Sequence, residues 1–131
     1  LDGHRAAVNT VVALADGRLL SGADDFDLRL WDPATGNSLA MQGHQGKVMS
    51  IAVSADGRTA ASASWDGFVG LWDLTTPEAP PRLLKGHDSG VNDVVFSSDG
   101  TRLYSGSSDG SIRVWDVATG AQVRQLLNNG F

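Results

Sequence analysis

"SGSSDGSIRVWD", residues 105–116, closes on a Trp-Asp pair, and the same outline is written twice more, as "SGADDFDLRLWD" at 21–32 and "SASWDGFVGLWD" at 62–73. Each copy sets a Ser, an Asp four positions later and a Trp six beyond that. A Gly-His pair stands ahead of each, at 3–4, 43–44 and 86–87, so the repeat runs at 40 to 43 residues. A period of this length marks supersecondary units that bury their faces against one another. Within the first unit the chain reads "AVNTVVAL", the turn "ADG", "RLLSGA", the turn "DDF", "DLRLWD", the link "PATG" and "NSLAM". Valine, leucine and aromatic residues fill the runs, while Asp-Gly and Thr-Gly mark the reversals, which predicts four short antiparallel strands per unit. Small residues around Ser21, Ser62 and Ser105 predict tightly packed second strands. No stretch carries a capped helical period, so the expected fold class is all-β.

The Gly-His pairs, the Asp six residues before each Trp and the Trp-Asp endings resemble the WD-repeat (WD40) β-propeller family. The resemblance covers residues 1–127 of a single segment, 1–131, with repeats at approximately 3–42, 43–85 and 86–127. Where a fourth Gly-His would fall the chain reads "LLNNGF". The family likeness implies four-stranded antiparallel blades. It also implies an internal hydrogen-bond chain in each blade: His4, Ser21, Asp25 and Trp31; His44, Ser62, Asp66 and Trp72; His87, Ser105, Asp109 and Trp115. The physical need for such a chain is plain, because each of these polar groups is costly to bury unpaired.

Three blades are fewer than the four to eight of closed propellers, and neither end unit reads as a polar cap. An incomplete propeller is therefore expected, completed by further blades of a longer chain or by homo-oligomerisation. The chain does not begin with Met, which favours the first of these. Two copies would give six blades and three would give nine.

Composition narrows the chemistry. Fifteen acidic and ten basic residues give a net charge of -5 without a long run of either sign, which argues against nucleic acid or anionic membrane as partner. There is no Cys, hence no disulfide frame and no thiol nucleophile. No stretch of about 18 consecutive apolar residues offers a membrane span. A Ser-His-Asp set invites a hydrolase reading, but a triad needs one exposed nucleophile and an oxyanion hole, and three evenly spaced copies serve a shape better. Histidines some forty residues apart do not suggest a metal site, and Asp16-Gly17, Asp56-Gly57 and Asp99-Gly100 read as hairpin corners. Neither metal nor cofactor is expected.

Function then falls to residues the repeat does not require. Trp65 is the one Trp outside the repeated position; its counterparts are Asp24 and Ser108. The family likeness implies partner binding at one end of the blades, through the residues three and five after each His and the one before each turn Asp. These are Ala7, Asn9 and Asp24; Lys47, Met49 and Trp65; Gly90, Asn92 and Ser108, of which only the middle trio is large. Trp65 is either an exposed anchor or a local packing residue. The expectation is a non-catalytic scaffold that binds a peptide or protein on this top face, in an intracellular, cytoplasmic setting. The alternative is a structural subunit of a larger assembly or a self-assembling propeller.

Overall fold

The computed structural model of the chain describes residues 3–127, so most of "LLNNGF" lies outside the described residues. Twelve strands form three four-stranded sheets. Blade 1 is β1 (Val8–Ala13), β2 (Leu19–Ala23), β3 (Leu28–Asp32) and β4 (Asn37–Met41). Blade 2 is β5 (Val48–Val53), β6 (Thr59–Ser64), β7 (Phe68–Asp73) and β8 (Arg82–Lys85). Blade 3 is β9 (Val91–Phe96), β10 (Arg102–Ser107), β11 (Ser111–Asp116) and β12 (Gln122–Leu127). Every neighbouring pair is antiparallel and sequential. The three sheets do not close on themselves, and the molecule is an incomplete propeller.

Local chemistry fixes the corners. In the first hairpin of each blade an Asp carboxylate accepts the backbone N–H two residues on, Asp16 from Arg18, Asp56 from Arg58 and Asp99 from Thr101, each at 3.0 Å. The Thr101 N–H, with the Ser97 and Thr101 hydroxyls, draws the Asp99 pKa down to about 2. Such Asx geometry competes with strand pairing and so ends the strand where it stands.

The core lies between sheets. One cluster joins Leu20, Leu28, Leu30 and Met41 of blade 1 to Val48, Ile51 and Trp72 of blade 2. A second joins Val69, Leu71 and Leu84 of blade 2 to Val91, Val94, Leu103 and Trp115 of blade 3. The approach is close: a Cβ on Gly22 in β2 would lie 2.4 Å from Val48 Cγ1 of the next blade. This is why small residues gather on the second strands.

The same positions behave differently where no neighbour stands. Val48 and Val91 are fully buried, yet their counterpart Val8 is 50% exposed. Ile51 and Val94 are buried, whereas Val11 is 59% exposed. On the far side, Leu28 and Val69 are covered by the following blade, but Ile112 at the matching place in blade 3 is 47% exposed. Two apolar faces, one at each end of the array, are therefore uncovered.

Candidate functional site

Each blade contains one polar relay. The Trp indole donates to the Ser Oγ at 2.7 Å in blade 1 and 2.8 Å in blades 2 and 3. That hydroxyl meets His Nε2 at 2.6, 2.5 and 2.7 Å, and His Nδ1 meets the Asp carboxylate at 2.9, 2.8 and 3.0 Å. A carboxylate only accepts, so Nδ1 carries the proton and donates it; Nε2 then accepts from the Ser hydroxyl. The Asp also receives the N–H of the residue after the His, from Arg5, Gln45 and Asp88 at 2.8, 2.9 and 3.0 Å. It thereby ties the loop between blades to the turn inside the blade. Gly70 makes room for the middle relay, since a Cβ there would lie 2.5 Å from Ser62 Oγ.

The electrostatics follow from this saturation. Burial works to raise the carboxyl of Asp109, but the Ser111 hydroxyl, the Asp88 and Ser111 N–H groups and His87 outweigh it and hold the group far below the usual range. Asp66 and Asp25 are lowered against burial in the same way, by His44, Gln45 and Phe68 in one and by Arg5, Asp27 and His4 in the other. Burial lowers the pKa of His87 despite the adjacent Asp109, which keeps the ring neutral. The Ser hydroxyls are sealed from solvent, with Ser21, Ser62 and Ser105 at most 2% exposed, and both the proton and an acceptor site of each are already engaged. A nucleophile so placed cannot meet a substrate, and the relays are structural. Among the described residues no three His, Asp or Glu side chains gather as metal ligands would.

The top face is where the blades differ. In every blade the residue before the turn Asp donates its N–H to the carbonyl of the residue three after the His: Asp24 to Ala7 at 2.8 Å, Trp65 to Lys47 at 2.9 Å and Ser108 to Gly90 at 3.1 Å. The residues five after the His, Asn9, Met49 and Asn92, each sit where the register of the first two strands slips. An extra residue in one strand of a pair is turned out of the ladder, which aims its side chain anew. All nine positions thus converge on one surface.

A continuous polar and aromatic ridge crosses that surface from blade to blade. Asn9 Nδ2 donates to Asp24 Oδ1 at 2.7 Å and to the Val48 carbonyl at 3.1 Å. Lys47 Nζ lies 3.6 Å from Asp24 Oδ2 and 5.2 Å from the centre of the Trp65 ring. The Trp65 indole N–H reaches Asn92 Oδ1 at 3.3 Å, and Asn92 Nδ2 donates to Ser108 Oγ at 2.9 Å. A Cβ on Gly90 would lie 3.0 Å from Trp65 Cδ1, so one edge of the indole packs against the neighbouring blade. Half of the side chain remains exposed. Trp65 therefore packs and presents surface at once, and the two readings of it from sequence are not exclusive.

One residue of this surface escaped the sequence reading. Phe26 holds a φ of 78° in the turn where blades 2 and 3 place Gly67 and Gly110 at 87° and 84°. Left-handed backbone is strained for an aromatic residue. The ring is nonetheless exposed. The signal was present in the alignment of the repeats, as Asp-Phe against two Asp-Gly pairs.

Fold and relays together define a propeller module built on repeated blades. The sequence profile of the "WD domain, G-beta repeat" family matches residues 1–32, 36–73 and 79–116, and the chain belongs to the WD40 family. It is 44% identical over 59 residues to ribosome assembly protein 4 of Chaetomium thermophilum, which covers 43% of this chain and 11% of that protein. It is 32% identical over 74 residues to the guanine nucleotide-binding protein G(I)/G(S)/G(T) subunit beta-1 of Homarus americanus, covering 55% of this chain and 22% of that one. It is 34% identical over 93 residues to the small ribosomal subunit protein RACK1 of Candida albicans, covering 64% of this chain and 29% of that one. Among solved structures, that of U3-55K superposes with a TM-score of 0.90 at 27% identity, over 99% of this chain and 42% of that one. The chain thus spans less than a third of the length of these curated relatives.

Proposed function

We propose that the protein is a protein-interaction scaffold whose partner, a peptide or a folded protein, docks on the top face around Trp65. The observation that carries this reading is the ridge from Asp24 through Lys47 and Trp65 to Asn92, in which a half-exposed indole bridges two blades beneath a lysine ammonium. A rigid aromatic held on a bulged, hydrogen-bonded surface loses little entropy on binding. Lys47 and Met49 beside it suit an acidic or aliphatic side chain of the partner. The names of the relatives, a ribosome assembly protein, a ribosomal-subunit protein and a G-protein subunit, support an intracellular setting and membership of larger assemblies. Within that setting we place the protein in the cytoplasm rather than the nucleus.

The test is capture from native extract with wild type, W65A and S108A side by side, followed by titration of the recovered partner. Loss of the partner with W65A and its retention with S108A are expected. Equal recovery by all three proteins would sink the Trp65 anchor. A second reading, as a structural subunit, is favoured by the two uncovered apolar end faces. In it the faces take further blades of a longer chain or a second copy.

A further inference from the structure

We propose that Met49 is a site of reversible oxidation, and that its sulfoxide closes the top face to the partner. The proposal rests on the reading of that face given above and adds its regulation. Two methionines occur in the chain, and they stand in opposite settings. Met41 is 2% exposed and packed in the core between blades 1 and 2. Met49 belongs to the top face and is partly open to solvent. It occupies the bulge where the register of β5 and β6 slips between Val48 and Ser50, so its side chain lies outside the regular ladder. A thioether reacts where an oxidant can reach it, which singles out Met49.

The neighbours offer the new oxygen a partner. Across the joint of blades 2 and 3 the bulge residue Asn92 presents Oδ1 to the Trp65 indole N–H at 3.3 Å. Across the joint of blades 1 and 2 the equivalent residue is Met49, and it presents Sδ to the Asn9 amide at 3.8 Å. One joint is thus latched on an amide oxygen and the other on a sulfur, a weak acceptor. Oxidation gives Met49 a polar oxygen that accepts as the Asn92 carboxamide does. Asn9 Nδ2 carries its hydrogens to Asp24 Oδ1 at 2.7 Å and to the Val48 carbonyl at 3.1 Å. A sulfoxide beside it draws away the longer of these bonds, that to Val48, while Asp24 keeps its hold on Lys47.

The reaction balances with a peroxide as oxidant. A sulfur lone pair attacks one peroxide oxygen, and the O–O bond breaks as the S–O bond forms. The leaving hydroxide takes the hydrogen of the transferred oxygen and departs as water. The sulfur is oxidised and the peroxide reduced by one electron pair. Methionine sulfoxide reductases reverse the change, one enzyme for each epimer at sulfur.

Fold and binding then respond differently. A core methionine loses packing when it gains an oxygen, but Met49 gains a hydrogen bond on a solvated ridge, so stability should hold. The partner loses instead, because an aliphatic side chain seated beside Trp65 strips the sulfoxide oxygen of water.

The experiment is mild hydrogen peroxide treatment of the folded protein. Peptide masses followed with time should show oxygen on Met49 at least about tenfold faster than on Met41, in keeping with their exposure. The side-chain amide NMR signal of Asn9, assigned by its loss in Asn9→Ala, should shift on oxidation, and in Met49→Leu it should stay in place. Melting temperature should not fall. The partner recovered with wild type in the capture above should bind the oxidised protein about tenfold more weakly, the scale of a polar group buried without its full complement of hydrogen bonds. Both reductases together should restore that binding, and peroxide should not weaken it in Met49→Leu. Equal oxidation of Met41 and Met49, an unmoved Asn9 signal, or undiminished binding by the fully oxidised protein would each overturn the proposal. Should W65A keep the partner, the Trp65 reading falls on its own, while the masses and the Asn9 signal still decide the role of Met49.

Discussion

The relay positions carry the same four side chains in all three blades, whereas the nine top-face positions repeat hardly at all. Both sets occupy equivalent places in each unit, so the difference lies in what each must satisfy. A buried indole, hydroxyl and imidazole face the same desolvation penalty in every blade and have found the same answer. The top-face residues face water, where Asp24, Trp65 and Ser108 all suit the same backbone hydrogen bond. Sameness between blades therefore marks the scaffold, and divergence marks the surface that faces water.

The sharpest way to break this contrast is in the relay of the middle blade. Replacing His44 by Ala leaves Ser62 and Asp66 without their ring partner inside a blade covered on both sides, at an expected cost of about 2 to 3 kcal/mol. Asp66→Ala should cost a similar amount, and the double variant less than the sum, because the two share one network. His4→Ala should cost less, since the cavity beside Trp31 and Ser21 admits water to the orphaned groups. Denaturant midpoints decide the matter: an unmoved midpoint for H44A, or equal losses at His4 and His44, would remove the distinction between enclosed and open blades.

Acid should act on the relays before it reaches the top face. His87 has a lowered pKa in the fold, so between pH 7 and 5 the unfolded chain takes up the proton more readily, and stability falls as pH drops through about 6.5. Asp25, Asp66 and Asp109 are likewise lowered; their contribution is complete above the unfolded value of about 4 and is lost as pH falls below it. Urea midpoints measured from pH 7 to 3 should therefore decline in two stages. In His87→Asn the earlier stage should shrink, and an unchanged profile would mean that the ring titrates as it does in the unfolded chain.

On the top face the sign of the effect moves from stability to binding. Trp65→Ala should weaken partner binding by at least about 2 kcal/mol while lowering stability by about 1 kcal/mol, through the lost Lys47, Asn92 and Gly90 contacts. Ser108→Ala should change neither by more than a few tenths. A larger loss of stability than of binding would turn Trp65 into a packing residue alone.

Much of this was legible because a repeat states its own rules three times. The period placed twelve strands, and the recurrence of Ser, Asp, Trp and His at fixed offsets singled out the residues that the relays join. What could not be read was anything set by contact between unlike blades. The ridge depends on Lys47 reaching Asp24 across one joint and Trp65 reaching Asn92 across the next, and no spacing within a repeat encodes either distance.

At Phe26 scaffold and surface pull in opposite directions. Phe26 takes the left-handed backbone that Gly67 and Gly110 take without strain, which costs roughly 1 to 3 kcal/mol for a residue with a side chain. Gly at this position relieves that strain but adds roughly 0.5 to 1 kcal/mol of chain entropy to the unfolded state. Phe26→Gly should therefore raise stability by up to about 2 kcal/mol, because the exposed ring surrenders little packing. If strain is kept here for the sake of the surface, the same change should weaken the partner that W65A weakens, so that melting temperature and affinity move apart. A fall in melting temperature would show that the ring is held by contacts that outweigh the strain. Unchanged affinity would confine the partner to blades 2 and 3.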